Sequence, residues 1–277
     1  MRFELHCHST CSDGTEAPSA VASRAAERGV AVFALTDHDT CAGTAAAVVA
    51  GAQTLRAVEI SCEEPATGRT IHLLAYDRGG AAWAALEAKL DEVRQARLNR
   101  MRMMGARLAQ RGIRIDVEPM IEDAARSGRT LGRPDLARAM VAAGAASSFK
   151  DAFARHLYDG GPVDVPNRAL TLPEALALGR AANAAMSLAH PHLYDHLGVQ
   201  LCKQHVADGL GGVEAFYAGY DPRERARWIE LADALGLVCT GGSDWHGPED
   251  ASAQPGVDLP DARSDALYAW LFSSSRR

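Results

Sequence analysis

The 277-residue chain holds ten histidines and 35 acidic residues, and a subset of them recurs in a pattern that can do chemistry. His6 and His8 stand as His-x-His, Asp37 and His38 as an adjacent pair, and Asp244 and His246 as Asp-x-His; Asp13, Glu59, His72 and His190 complete the set. In an extended segment, residues i and i+2 project to the same side, so His6 with His8, and Asp244 with His246, can each grip one ion. Imidazole nitrogens mixed with carboxylate oxygens suit Zn²⁺, Mn²⁺ or Fe²⁺, whereas an all-oxygen set would suit Mg²⁺ or Ca²⁺. At about four to six positions per ion, the ligands imply two or three ions close together, with Glu59 free to bridge. Such clusters make hydroxide from bound water and clamp a phosphoryl oxygen. Asp37, Asp39 and Ser12 read as residues that orient ligands, and His72, taken alone on an apolar strand, would read as a hydrogen-bonded core residue.

The elements that must position these residues alternate. An apolar stretch at 3–5 ends in the polar cluster 6–14, and an Ala-rich helical run at 18–29 follows, punctuated by Pro18 and Gly29. Residues 30–35 form a continuous apolar run, short enough for a buried parallel strand, that stops at a second polar cluster, 36–39. A helix is expected over 42–52, a strand over 55–60 ending in Glu59, and a strand over 70–76 carrying His72. From Trp83 the character changes to a long helical stretch, 83–112, with further helix-like sequence to about 158. Strand-and-helix rhythm returns with a helix at 172–182 and strands at 185–189, 212–217 and 236–240. Such alternation implies parallel βαβ units of the α/β class, and polar clusters at the C-terminal ends of strands are where barrel active sites form. The expectation is a β/α barrel split by a helical insertion: barrel over 1–82, insertion over 83–166, barrel again over 167–277, with a frayed tail at 273–277.

Composition bounds the partners. With 29 Lys and Arg against 35 Asp and Glu, the net charge of −6 argues against holding duplex nucleic acid by neutralising many phosphates. At 47% hydrophobic and 23% charged residues, the chain can bury a core. No apolar run approaches the roughly 18 residues of a membrane span, and the N-terminus lacks the apolar region of a signal peptide, so a cytoplasmic address is expected, with no membrane partner. The six scattered cysteines read as reduced thiols.

The motifs His6-Cys7-His8-Ser9 leading to Ser12-Asp13-Gly14, Thr36-Asp37-His38-Asp39, Glu59-Ile60-Ser61, His72, Ala189-His190-Pro191 and Gly241-Gly242-Ser243-Asp244-Trp245-His246 occur in this order along almost the whole chain. In this combination the sequence resembles the PHP (polymerase and histidinol phosphatase) superfamily of metal-dependent phosphoesterases. The resemblance implies a distorted seven-stranded β/α barrel and phosphoester hydrolysis by a cluster of two or three metal ions. It implies one ion held by His6, His8, Glu59 and Asp244, a second by Glu59, His72 and His190, and a third by Asp13, His38 and His246. Some members carry His where this chain has Asp13.

The insertion and the segment from Gly132-Arg133-Pro134 to Arg138 are most similar to members that act on nucleoside 3′,5′-bisphosphates or trim short 5′-phosphorylated RNA. There, arginines grip phosphate, which implies Arg133 and Arg138 as substrate-binding residues. Three substrate-side positions depart: Gly161 and Asp164 replace an expected Lys and Tyr, and His192-Leu193 replaces Gly-Arg after Ala189-His190-Pro191. The helical stripe Arg94, Arg97, Arg100, Arg102, Arg107 and Arg111 is expected to form a solvated face paired with Glu and Asp, Arg133 being the exception. The implied mechanism is in-line attack of a metal-bridging hydroxide on a phosphate monoester without a covalent intermediate, Arg133 holding the non-bridging oxygens and His192 offered as the leaving-group acid. Two other readings stand beside it: a phosphatase for another small metabolite, such as a mononucleotide, histidinol phosphate or a sugar phosphate, and a metal-binding module without turnover.

Overall fold

The computed structural model describes residues 1–80, 82–158, 160–165, 170–249 and 254–272. Its first part runs β1 (Arg2–Glu4), α1 (Pro18–Glu27), β2 (Val32–Leu35), β3 (Gln53–Glu63) and β4 (Thr70–Asp77). Four helices follow: α2 (Trp83–Gln110), α3 (Glu118–Ser127), α4 (Arg133–Ala142) and α5 (Phe149–Ala152), the last continuing into a wider π-turn at Phe153–Leu157. The chain then passes through β5 (Leu170–Thr171), α6 (Leu172–Ala181), β6 (Ala184–Leu188), α7 (His196–His205), β7 (Gly212–Tyr217), α8 (Pro222–Leu235), β8 (Val238–Gly242), β9 (Val257–Asp258) and α9 (Asp261–Phe272).

One sheet runs β8-β7-β6-β4-β3-β2-β1-β9, with β5 paired to β3. Its ends meet just beyond β1 and β8, where Cys7 and Trp245 form an isolated bridge, the His8 amide donates to Trp245 O at 2.8 Å and the Asp244 amide to His6 O at 2.7 Å. The seven longer strands thus form a nearly closed barrel, the α/β architecture expected. Local chemistry sets the helix limits. Pro18 opens α1 and Gly29, at φ 70°, follows its end; Thr171 and Glu174 cap α6 reciprocally; and Asp221 accepts from two amides of the first turn of α8.

Two local expectations fail. Residues 42–52 form no α-helix, only a 3₁₀ turn at Thr44–Ala46. The buried side chains there, Ala47 and Val49, are two apart, the spacing of an extended chain. The sheet is also not parallel throughout, since β3 pairs antiparallel with β4 and β4 antiparallel with β6. The connection 64–69 is long enough for a hairpin but too short for the crossover a parallel pair needs.

Between β4 and β5 the helices gather a separate apolar cluster, including Leu98, Met101, Met104, Ile121, Leu136 and Met140. The first half of α2 belongs elsewhere: Trp83, Leu86, Leu90 and Val93 pack in the barrel cluster, so one continuous helix carries the insertion on the barrel. The insertion limit expected at Pro166, and the tail at 273–277, lie outside the described residues. No helix among the described residues is long and apolar enough to cross a membrane.

Candidate metal centre

His6 and His8 follow β1, His38 follows β2, His190 follows β6, and Asp244 and His246 follow β8, so the C-terminal strand ends bring them to one mouth of the barrel. Glu59 reaches it from within β3, and His72 from β4, where it pairs across from Ser61. Ligand atoms lie within 4.8 Å of one another in four sets: His8, Asp13, His38 and His246; His6, His8 and Asp244; His6, Glu59 and His190; and His38, Glu59 and His72. Shared members link all nine residues into one cluster of six imidazoles and three carboxylates. The groupings differ from the implied ones: His8 also stands with Asp13, His38 and His246, Glu59 is absent from the set of His6, His8 and Asp244, and His190 and His72 fall in separate sets, with His6 and His38 respectively.

The donor atoms fit divalent cations. His6 Nε2, His8 Nε2, His38 Nδ1 and Glu59 Oε2 are buried and make no hydrogen bond. Yet these imidazole nitrogens lie 2.8–3.3 Å from Glu59 oxygens, as donors do when they converge on common points instead of on each other. Buried polar atoms left unsatisfied are costly, and an ion held by several lone pairs removes that cost.

Electrostatics within the cluster are strong. Burial alone would push Glu59 up, but the imidazoles of His38, His72 and His6 hold it well below the usual carboxylate range. Asp244 is likewise held down against burial, by His6 and His8. Burial lowers His72 to about 4 despite the Glu59 charge. For His246, burial is outweighed by Asp13 and Asp244, which raise it to about 9. Carboxylates that stay ionised while buried supply the charge a divalent ion needs.

A supporting layer orients the ligands. Glu214 lies 3.0 Å from His6 Nδ1 and accepts from the His190 amide at 2.7 Å. Asp37 accepts from Ser12 Oγ at 2.6 Å and from Ser9, and Ser12 stands beside both His8 and Asp13. Asp39 accepts from the Ser61 amide at 2.8 Å and pairs with Arg97 at 2.6 Å. Tyr217 donates to Asp244 at 3.1 Å. Glu4 accepts from the His6, Ser243 and Gly256 amides, and burial raises it to about 7. Three non-glycine residues at the mouth adopt positive φ: Asp39 at 52°, His190 at 27° and Asp244 at 54°. Each is fastened through its amide, to Glu59 O, the Glu214 carboxylate and His6 O respectively, which offsets strain of about 1–3 kcal/mol apiece. Gly242 is required by close approach, because a Cβ there would lie 2.5 Å from His6 Cβ and N.

The sequence does not single out Glu214 and Glu4, although each is a lone carboxylate between two apolar neighbours, a signal that points to it. Arg97 and Arg100 were also misplaced. Arg94 and Arg102 do pair with Asp91 and Glu118 on the surface. Arg97 and Arg100 turn inward, and with Arg133, Asp13, His38 and His72 they line a cavity of about 200 Å³. Arg100 is lowered to about 10 by burial and by the neighbouring charges of Arg97 and Arg133, although Asp164 at 3.2 Å opposes this. Helical periodicity could not say which face of α2 meets the barrel mouth.

Arg133 starts α4, where the Asp135 carboxylate accepts from the Gly132 amide at 2.8 Å; it donates to Leu157 O at 3.0 Å and lies 6.0 Å over the Phe153 ring. Arg138 donates to the Asp13 carbonyl and lies 5.9 Å over Phe149. His192 is half-buried behind Asp244, its Nδ1 3.0 Å from the Tyr220 hydroxyl and its ring against Tyr217, which binds Asp244. All six cysteines are free thiols.

The chain matches the PHP domain over residues 4–93. It is 34% identical to the phosphoribosyl 1,2-cyclic phosphate 1,2-diphosphodiesterase of Eggerthella lenta, over 94% of this chain and 100% of that one. It is 33% identical to the 3′,5′-nucleoside bisphosphate phosphatase of Chromobacterium violaceum, over 93% of this chain and 92% of that one. A structure from Bifidobacterium adolescentis, described as a metal-dependent phosphoesterase, superposes with a TM-score of 0.82 at 30% identity, covering 97% of this chain and 96% of its own. With the ligand cluster at its barrel mouth, this chain belongs to the PHP family and is a metal-dependent phosphoesterase.

Proposed function

We propose that the enzyme removes a phosphate monoester from a nucleotide, converting a nucleoside 3′,5′-bisphosphate to the 5′-monophosphate or acting on short 5′-phosphorylated RNA. The observation that carries this reading is the cavity in which Arg97, Arg100 and Arg133 stand across from Asp13, His38 and His72. A cluster of guanidiniums beside a metal centre is suited to a polyanionic ester: Arg97, whose N–H groups are engaged by Asp39, Ser61 and Leu131, adds charge at a distance, and a planar fork such as that of Arg133 matches phosphoryl oxygens. The Chromobacterium violaceum relative, named for that bisphosphate reaction, supports the same substrate class.

Two or three divalent ions, Mn²⁺, Fe²⁺ or Zn²⁺, would be held by His6, His8, Asp13, His38, Glu59, His72, His190, Asp244 and His246, supplying Lewis acidity and an activated water. The protein's own groups do the rest. Arg133, at the first turn of α4, holds the non-bridging oxygens, and Arg100 and Arg97 add positive charge from α2. Asp37, Ser12 and Asp39 keep the ligand-bearing loops in place. His192 is assigned the leaving-group proton in this reading, with Tyr220 fixing its ring through Nδ1.

A second reading, a phosphatase for another small phosphorylated metabolite, is favoured by one observation. Asp164, in place of the expected Tyr, spends part of the Arg100 charge on an internal ion pair. The Eggerthella lenta relative, whose name specifies a phosphoribosyl ester, supports it. Phosphate release by Mn²⁺-loaded protein should be measured on 3′,5′-bisphosphonucleosides, mononucleotides, short 5′-phosphorylated RNA, histidinol phosphate and sugar phosphates, with His8→Ala as control. Preference for the bisphosphate or RNA supports the first reading; preference for a non-nucleotide ester replaces it with the second.

A further inference from the structure

A larger cavity, of about 760 Å³, opens between the insertion and the barrel loops. Val141, Ala142 and Phe149 form its apolar wall, and Thr15, Arg138 and His246 lie on its polar side. It reaches the metal centre through His246, whose ring stacks on His8 at 4.2 Å. Asp13 separates it from the arginine cavity. One Asp13 oxygen lies 3.5 Å from His38, which lines the arginine cavity, and the other 3.3 Å from His246, which lines this one. Two compartments therefore flank one ligand.

The compartments differ in charge. The arginine cavity collects three guanidiniums. The larger one has Arg138 alone among its lining cations other than histidine, and that guanidinium already donates to the Asp13 carbonyl and stands 3.9 Å from Asp135, with Glu249 also in the lining. Arg97 and Arg100 are likewise paired, with Asp39 and Asp164, but three guanidiniums against one still make the arginine cavity the more attractive of the two to a phosphate. Val141 and Phe149, both in its lining, are 36% and 44% exposed, apolar surface on which a flat apolar group can pack. The aromatic rings are paired across the divide: Phe149 packs on Phe153 at 5.0 Å, Arg138 lies over Phe149, and Arg133 lies over Phe153 in the arginine cavity. An aromatic face backed by a guanidinium suits a heteroaromatic ring.

We propose that the larger cavity is the nucleobase subsite, holding the base against Phe149 while the scissile phosphate lies at the metal centre beside the arginine cavity; this rests on the nucleotide reading above. The test has two arms. Titrating metal-loaded enzyme with 2-aminopurine riboside, a fluorescent base that carries no phosphate, should quench its emission saturably. Phe149→Ala should weaken that binding about 5- to 150-fold, the range of a lost base–aromatic stack, and Val141→Glu, which keeps Phe149 but puts a charge on the exposed apolar wall in case the first fails to fold, should weaken it too. In the second arm, both variants should raise by a similar factor the ratio of KM for the preferred nucleotide to KM for ribose 5-phosphate. No quenching by the wild type, or an unchanged ratio in both variants, overturns the subsite. Quenching that both variants lose, without phosphate release from any nucleotide, upholds the subsite and overturns the nucleotide reading instead.

Discussion

Glu214 and His6 meet at 3.0 Å through the His6 Nδ1, while Nε2 of the same ring points into the cluster of candidate ligands, 3.3 Å from both Glu59 and Asp244. A carboxylate behind a ligand imidazole fixes its tautomer and orientation and makes it a stronger donor. Glu214 also holds the His190 amide, so one buried side chain orients two ligand positions on different strands. Replacing it by Gln keeps the volume but removes the charge. Glu214→Gln is expected to lower metal affinity about 10- to 100-fold, read by competition with a chelator, with the circular dichroism spectrum retained. Wild-type affinity in the variant would show that Glu214 serves only the strand packing.

Asp39 and Arg97 form a buried ion pair at 2.6 Å, joining the loop after β2 to α2. Removing one partner leaves an uncompensated charge, at a cost of about 3–5 kcal/mol, whereas removing both costs much less. Asn is the right probe because Asp39 has φ 52°, which Asn tolerates. Urea unfolding should find Asp39→Asn strongly destabilised and Asp39→Asn/Arg97→Met partly recovered. Simple additivity of the two single changes would disprove the coupling.

At Gly242 any side chain collides with the His6 backbone, which cannot move without shifting the ligand. Gly242→Ala should cost about 1–3 kcal/mol in denaturant unfolding. It should also reduce the number of ions retained after gel filtration, counted by elemental analysis. A stable variant with full metal content would refute the role given to the close approach.

Metal removal should loosen the whole barrel mouth, since the cluster draws ligands from β3, β4 and the ends of four further strands. An ion present at a hundred times its Kd contributes about 2.7 kcal/mol, or roughly 5–10 °C in Tm for a chain of this size. Chelation is expected to lower Tm by that amount and Mn²⁺ to restore it. His8→Ala should lose most of the response, because His8 takes part in two of the four ligand sets. An identical Mn²⁺ response in that variant would separate His8 from the metal.

What could be read before the structure was local. His-x-His at 6 and 8 and Asp-x-His at 244 and 246 follow short apolar runs, and strand ends with such residues advertise themselves through spacing alone. The helical character of 83–158 was equally plain from the missing alternation. Other features were hidden for physical reasons. Arg97 looks like its surface neighbours Arg94 and Arg102 because helical periodicity gives faces but not what each face meets. Residues 42–52 have helical composition, yet the chain there only has to carry β2 to β3, and tertiary packing overrides even the high helix propensity of Ala.

Residue types and their spacing set the inventory: which donors exist, which of them are paired, that strands and helices alternate, and that a helical block interrupts them. These follow from side-chain chemistry and from backbone periodicity, both of which act over a few residues. The assembly came from contacts between distant elements. Barrel closure through Cys7 and Trp245 sets β1 beside β8 and so brings His6 to Asp244, across almost the whole chain. The turn of α2 over the mouth brings Arg97 and Arg100 inward, and the placement of α4 and α5 makes two compartments on either side of Asp13. Such contacts depend on loop closure and packing between elements distant in sequence, for which no local pattern carries the information.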